Sequence, residues 1–322
     1  MKKRVLLVLC LGLCLLLAAC SPSAEQREGA EGGILLGYSQ LGSESQWRIG
    51  CSKDIQDAAE RAGVRLMFEN AEQKQEKQIS AIRSFIAYQV DVIALSPIVE
   101  DGWDHVLAEA RAAGIPVLLV DRTIETADES LYAGFIGGDF LEEGRKAARF
   151  LLEKAQDKDL VRIAEIAGTP DSAPMLKRAL GFREVLGDDP RYQIVASLNG
   201  DFLRSKGKEC MRELLKQSTE MDVLYCHNDD MAMGAIEVME ENGIRPGKDV
   251  VIITVDGSQQ AIDMLKAGKI NCVVECTPKM GDGVMRLAEM LAAGEAIPRI
   301  TYNEETVFSE FDDTAAITDR GY

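Results

Sequence analysis

Residues 90–122 read VDVIALSPIVEDGWDHVLAEARAAGIPVLLVDR, and this stretch decides the fold. Val90–Leu95 is a short apolar run of strand type that closes at Ser96-Pro97. Trp103–Ala113 has helical character and Gly114 as its stop, and Ile115–Val120 is a second apolar strand running straight into Asp121-Arg122. Strands that are continuous apolar runs, separated by a helix, belong to a parallel sheet covered on both faces.

The same beat extends in both directions. Upstream, the pattern predicts strands at Ile34–Ser39 and Val64–Glu69, with helices at Trp47–Ala62 (stopped by Gly63) and Lys74–Tyr88. Downstream, an extended stretch at Leu131–Ile136 is followed by helix Leu141–Ala155, strand Leu160–Ala167, helix Pro174–Leu186 and strand Gln193–Leu198. Then come helix Ser205–Gln217, strand Asp222–His227, helix Met231–Glu241 and strand Val250–Val255. Helix Gln259–Ala267, strand Asn271–Cys276 and helix Met280–Ala293 complete the series. About ten strands crowd a single twisted sheet, so the expectation is an α/β protein of two lobes, divided near Gly137-Gly138.

The 322 residues, 46% of them hydrophobic, supply enough apolar material for two cores and exclude low-complexity disorder. The net charge of -17 argues against a general nucleic-acid binder, which must neutralise phosphates. Met1-Lys2-Lys3-Arg4 followed by the uncharged run Val5–Ala19 reads as a secretion signal, too short for a spanning helix of about 20 residues. The run ends Leu17-Ala18-Ala19-Cys20, which resembles a bacterial lipobox and predicts cleavage before Cys20 and lipidation of that residue. Cleavage would remove three of the 36 basic residues and none of the 53 acidic ones, deepening the charge to -20. Residues 20–33 then serve as a small, polar, Gly-containing tether. Of eight cysteines, Cys10 and Cys14 leave with the signal and Cys20 takes lipid. Cys51, Cys210, Cys226, Cys272 and Cys276 are expected as buried thiols, an odd set that cannot all pair.

In open α/β sheets, ligands bind beyond the carboxyl ends of the strands. Those ends carry Ser39-Gln40, Asn70, Ser96 and Asp121-Arg122 in the first half. In the second they carry Asn199-Gly200-Asp201-Phe202, His227-Asn228-Asp229, Asp256-Gly257 and Glu275. Amides, carboxylates and an arginine near Trp47 and Phe202 suit a sugar, whose hydroxyls donate and accept while its C–H face packs on a ring. Helix capping accounts better for Ser96 and Asn70. No phosphate-cradling glycine loop, paired-histidine zinc helix or nucleophile-elbow serine is present. No catalytic residue, metal or cofactor is therefore expected.

Four segments carry a family resemblance: Gly42–Arg48; Lys74–Ile79 with Arg83-Ser84-Phe85; Gly200–Gly207; and His227–Met231, to which the closing Gly321-Tyr322 adds. From about Ile34 to the C-terminus the chain resembles the type I periplasmic sugar-binding proteins of ABC transporters, the ribose-binding group, and within it the galactofuranose-binding branch. The resemblance implies two Rossmann-like lobes with parallel sheets joined by a multi-strand hinge. Their bounds would be 34–136 plus 277–303 for the N-terminal lobe and 137–276 plus 304–322 for the C-terminal lobe, after a signal at 1–19. It implies ligand contacts from Glu44, Trp47, Arg48, Asp121, Arg122, Phe202, Asn228, Asp256 and Glu275. Arg48 stands where the ribose group has a second ring-contacting aromatic, which favours a furanose such as galactofuranose. The second-lobe arginine of ribose binders falls at about Leu176, with Arg178 two residues on. The expected protein is a monomer outside the cytoplasm, held to the membrane through Cys20, binding a monosaccharide and delivering it to an ABC permease. A sensory role, with the closed state presented to a chemoreceptor or kinase, is the alternative. A regulator of the same fold would need an N-terminal helix-turn-helix where the signal stands.

Overall fold

The computed structural model describes residues 33–322. The expected signal, the lipidation site Cys20 and nearly all of the tether lie outside the described residues. Ile34–Tyr322 forms one compact unit with its own hydrophobic cores. Among the described residues no helix is long and apolar enough to cross a membrane.

The first half alternates strand and helix: β1 (Leu35–Gln40), α1 (Gln46–Ala62), β2 (Arg65–Asn70), α2 (Gln75–Ala87), β3 (Val92–Leu95), α3 (Asp104–Ala112), β4 (Val117–Val120) and β5 (Gly134–Gly137). The second half repeats it with α4 (Phe140–Lys154), β6 (Val161–Ala167), α5 (Ala173–Leu186), β7 (Tyr192–Asn199), α6 (Arg204–Lys216), β8 (Val223–Cys226) and α7 (Asp229–Glu241). β9 (Val251–Asp256), α8 (Gln259–Lys266), β10 (Cys272–Glu275) and α9 (Gly281–Ala292) follow, then the short strands β11 (Ile300–Tyr302) and β12 (Val307–Ser309). Each expected element is present within a residue or two, apart from the stretch 131–136, which begins as a 3-10 turn at Glu129–Leu131 and becomes strand only from Gly134. β11 and β12 were not foreseen.

Two six-stranded sheets result, in the orders β11-β5-β4-β3-β1-β2 and β12-β10-β9-β8-β6-β7. Every pairing is parallel except that of β12 with β10. β3, β4, β8 and β10 are buried along their whole length, as apolar strands covered on both faces must be. The chain crosses between the sheets after β5, after β10 and after β11, and α9 packs back on α1. In both sheets the strand order reverses beside β1 and β6, the place where open α/β sheets leave a crevice.

Local chemistry sets the helix ends that face this crevice. Ser45 accepts from the Arg48 amide to start α1, and Asn228 accepts from the Met231 amide to start α7. Helices α4 and α5 meet through glycines: a Cβ on Gly144 would lie 2.2 Å from the Arg178 carbonyl, and one on Gly181 2.0 Å from that of Leu141. That close approach draws the start of α5 into the crevice. The five described cysteines are free and buried, in agreement with the sequence reading.

Candidate functional site

A narrow cavity, about 290 Å³ with the open space at its mouth included, lies between the sheets, at the carboxyl ends of their strands. From the first sheet's side come Glu44, Ser45, Trp47 and Arg48 around the start of α1, and Asp121 and Arg122 directly after β4. From the other side come Phe140 of α4, Pro174 and Arg178 of α5, Phe202 after β7, Asp256 closing β9 and Cys276 after β10.

Three arginines organise it, each stacked on an aromatic ring. Arg48 lies 4.6 Å from the Trp47 ring centre, Arg122 5.4 Å from Phe202 and Arg178 5.2 Å from Phe140. Arg48 donates to Asp121 (2.6 Å), Glu44 (3.2 Å) and Gln40 (3.3 Å). Arg178 donates to Glu143 (2.6 Å) and to the His227 carbonyl (2.6 Å), and stands 3.9 Å from Asp256. Burial works against the charge of Arg48 and Arg178, but the carboxylates of Asp121 and Glu143 outweigh it and hold both above the ordinary arginine range. Arg122 differs. Burial, reinforced by the neighbouring Arg48 charge, pulls it down to about 10. It donates to the Ile98 carbonyl (3.0 Å), yet its Nε is buried without a hydrogen-bond partner, as is Glu44 Oε2. Burial likewise pushes the Asp256 carboxyl well up, with Arg178 opposing. An unsatisfied donor and an unsatisfied acceptor facing one cavity are the groups a polyhydroxylated ligand would satisfy.

The backbone here is also unusual. Asp121 (φ 66°), Phe202 (φ 61°) and Asp256 (φ 122°) occupy the left-handed region that non-glycine residues avoid. Such conformations cost about 1–3 kcal/mol each and persist where surrounding structure enforces them, characteristically at ligand sites.

Seven of the expected site residues thus converge on the cavity: Glu44, Trp47, Arg48, Asp121, Arg122, Phe202 and Asp256. Two do not line it. Asn228 is spent on capping α7 and on donating to the Phe202 carbonyl (3.2 Å), so it holds the aromatic in place. Glu275 accepts from the Thr306 amide (3.0 Å) and pairs with Arg320, bracing the hinge. The second-lobe arginine also needs correction. Leu176 is 41% exposed, whereas Arg178 is 3% exposed and faces the cavity. With α5 beginning at Ala173, Pro174 and Arg178 share one helical face and Leu176 lies off it. Phe140, Pro174, Ser45 and Cys276 were not singled out as ligand contacts. Ser96 and Asn70 are not helix caps: Ser96 Oγ bonds the Tyr38 hydroxyl (2.8 Å), and Asn70 closes a turn on the Glu72 amide (2.9 Å).

Contacts between the two sides seal the rim. The Gln46 amide donates to Asp230 (2.7 Å), Trp47 Nε1 to the Cys276 carbonyl (2.6 Å), Lys177 to Thr123 Oγ1 (2.8 Å), and the Glu100 amide to the Asp171 carbonyl (3.1 Å). Cys276 lines the cavity, and burial pushes its thiol well up, so it is not a ready nucleophile. An enclosed crevice between two hinged sheets, rich in paired donors and acceptors, defines a two-lobed ligand-binding protein. The chain belongs to the periplasmic binding protein family, whose domain is matched over residues 36–296. Members of this family capture ligands and are not enzymes. The chain is 36% identical over 279 residues to the galactofuranose-binding protein YtfQ of Escherichia coli (strain K12), covering 85% of this chain and 87% of that one. It is also similar to a Mycobacterium smegmatis protein in complex with β-D-fucofuranose (44% identity, TM-score 0.86, 88% of this chain and 94% of the other). A third likeness is to the arabinose ABC transporter binding protein of Shewanella sp. ANA-3, bound to α- and β-L-arabinofuranose (40% identity, TM-score 0.84, 88% and 93%).

Proposed function

We propose that this protein is a monomeric, extracytoplasmic binding protein, anchored through lipidated Cys20, that closes on a furanose monosaccharide and delivers it to an ABC permease. Galactofuranose, or a furanose sharing its ring, is the preferred ligand. The observation that carries this reading is the Trp47–Arg48–Asp121–Arg122 wall, which offers one ring for a sugar's C–H face and a fork of charged donors for its hydroxyls. A ring-contacting aromatic in place of Arg48 would suit a ligand sandwiched on both faces; a guanidinium suits one with an exocyclic hydroxyl chain. The furanoses bound in the similar Mycobacterium smegmatis and Shewanella structures support the same class. Closure follows from differential binding: each side supplies part of the hydrogen bonding, so only the closed form satisfies the ligand.

Isothermal calorimetry of residues 33–322 against galactose, arabinose, fucose and ribose, and against methyl furanosides and methyl pyranosides that lock the ring form, tests this. A furanose should bind at least tenfold more tightly than any pyranose, and Asp121→Ala should abolish the heat. Absence of heat with every monosaccharide would refute the sugar assignment. Cys20→Ala should move the full chain from the membrane fraction to the soluble one.

A further inference from the structure

Beside the cavity, and sharing with its lining only Cys276, lies a cluster that the sugar-binding reading does not require. Glu143 of α4, Cys276 after β10 and Glu305 between β11 and β12 each point one ligand atom at a common spot, with all three atoms within 4.8 Å of one another. We propose that these three side chains form a binding site for a divalent transition-metal ion of zinc type at the hinge.

Several observations support it. Glu143 is fully buried and its Oε1 has no hydrogen-bond partner, while Cys276 is 2% exposed. Glu143 is fully buried and Glu305 only partly exposed, so two facing carboxylates repel each other, and a cation between them would relieve that repulsion. The outer partners that fix metal ligands are already in place. Arg178 Nε holds Glu143 Oε2 at 2.6 Å, and the Thr277 amide holds Glu305 Oε1 at 3.1 Å. Gly138 makes room: a Cβ there would lie 2.6 Å from Glu143 Oε1 and 2.9 Å from Glu305 Oε1. Zinc bonds of about 2.0–2.3 Å would draw these atoms, now within 4.8 Å of one another, closer around the ion. A thiolate in the set selects zinc, cobalt or cadmium over magnesium and calcium, and coordination itself would deprotonate the thiol. Two carboxylates, a thiolate and the Arg178 guanidinium balance a doubly charged ion. Since Glu305 sits on a connection between the sheets and Glu143 on α4, and neither lines the sugar cavity, the ion would stiffen the hinge from beside it.

The competing occupant is a proton. Burial and the adjacent Glu143 push Glu305 up to about 10, so without metal Glu305 carries a proton. Cobalt titration of chelator-stripped residues 33–322 distinguishes the two. The site predicts one equivalent bound with a thiolate-to-cobalt charge-transfer band, bleached by zinc, and a zinc-induced rise in Tm on the order of several degrees. Cys276→Ser should lose the band. Glu305→Gln, which keeps the shape of a protonated carboxyl, should retain the metal-free Tm while weakening cobalt binding at least tenfold. No band at millimolar cobalt, or a band that persists in Cys276→Ser, overturns the site and leaves the proton on Glu305 in its place.

Discussion

A methyl group on Gly168 would lie 1.9 Å from Phe202 Cζ and 2.3 Å from both neighbouring ring carbons. The ring is therefore seated on bare backbone, and Gly168→Ala must drive it from its place over the cavity. The expected result is a loss of ligand affinity of tenfold or more, with destabilisation of about 1–3 kcal/mol. Calorimetry and denaturant melts on the same variant check the two parts. At this scale the sequence was most informative where a residue follows directly on a strand. Asp121, Arg122 and Asp256 could be located because an apolar run ends there, and a strand end has only one place in a parallel sheet. Arg178 could not be found that way. It sits inside a helix, and its direction depends on the residue at which α5 starts; reading the helix from Ser172, with Pro174 and Arg178 four apart, would have picked it out. Cys276 escaped because a thiol in a strand reads as core, and its cavity face follows from the hinge crossing alone.

At the scale of elements, Glu165 of β6 joins four of them. It accepts from Arg183 of α5 (2.9 and 2.7 Å), from Ser197 of β7 (2.6 Å), and shares a 3.2 Å contact with His227 after β8. Burial alone would raise its pKa, yet these donors outweigh burial and hold it well below the ordinary glutamate range. His227 is lowered by burial, with Glu165 opposing. Both groups bind protons more weakly folded than unfolded, so the stability they contribute is present at neutral pH. It drains as pH falls, first below the ordinary histidine value of about 6.5 and then below the ordinary glutamate value of about 4.3. Glu165→Gln should cost about 2–3 kcal/mol at pH 7, since it breaks a buried pair whose Arg183 partner is partly solvated. The gap between variant and parent in urea melts should begin to narrow below about pH 4.3 and go on closing as pH falls toward the depressed folded value. The strands and helices themselves were legible because each strand is an apolar run and Gly63 and Gly114 punctuate the helices. β11 and β12 were not, being three residues long at sheet edges, where exposure removes the apolar signal.

For the molecule as a whole, the balance between open and closed forms rests on contacts that touch no ligand. The Gln46 amide at the start of α1 donates to Asp230 at the start of α7, so each side of the crevice lends a helix N-terminus to one carboxylate. That bond is partly buried, and a hydrogen bond to a charged group contributes about 1.5–3 kcal/mol. Asp230→Ala removes it only from the closed form, because the open form separates the two helices. The closed state then becomes harder to reach, and apparent affinity falls in proportion to the competent fraction. The expected loss is roughly tenfold or more, with the unfolding free energy changed far less than the affinity. Asp230→Asn keeps a carbonyl acceptor and should recover part of it. Lys177→Ala removes a second cross-crevice contact, to Thr123, but Lys177 is 40% exposed at the rim. Its effect should stay within about 1 kcal/mol, or fivefold. Calorimetry ranks the three variants, and small-angle scattering with saturating ligand should show all of them reaching the same compact radius. If Asp230→Ala binds as tightly as the parent, closure draws its energy from the ligand alone, and the rim contacts merely accompany it.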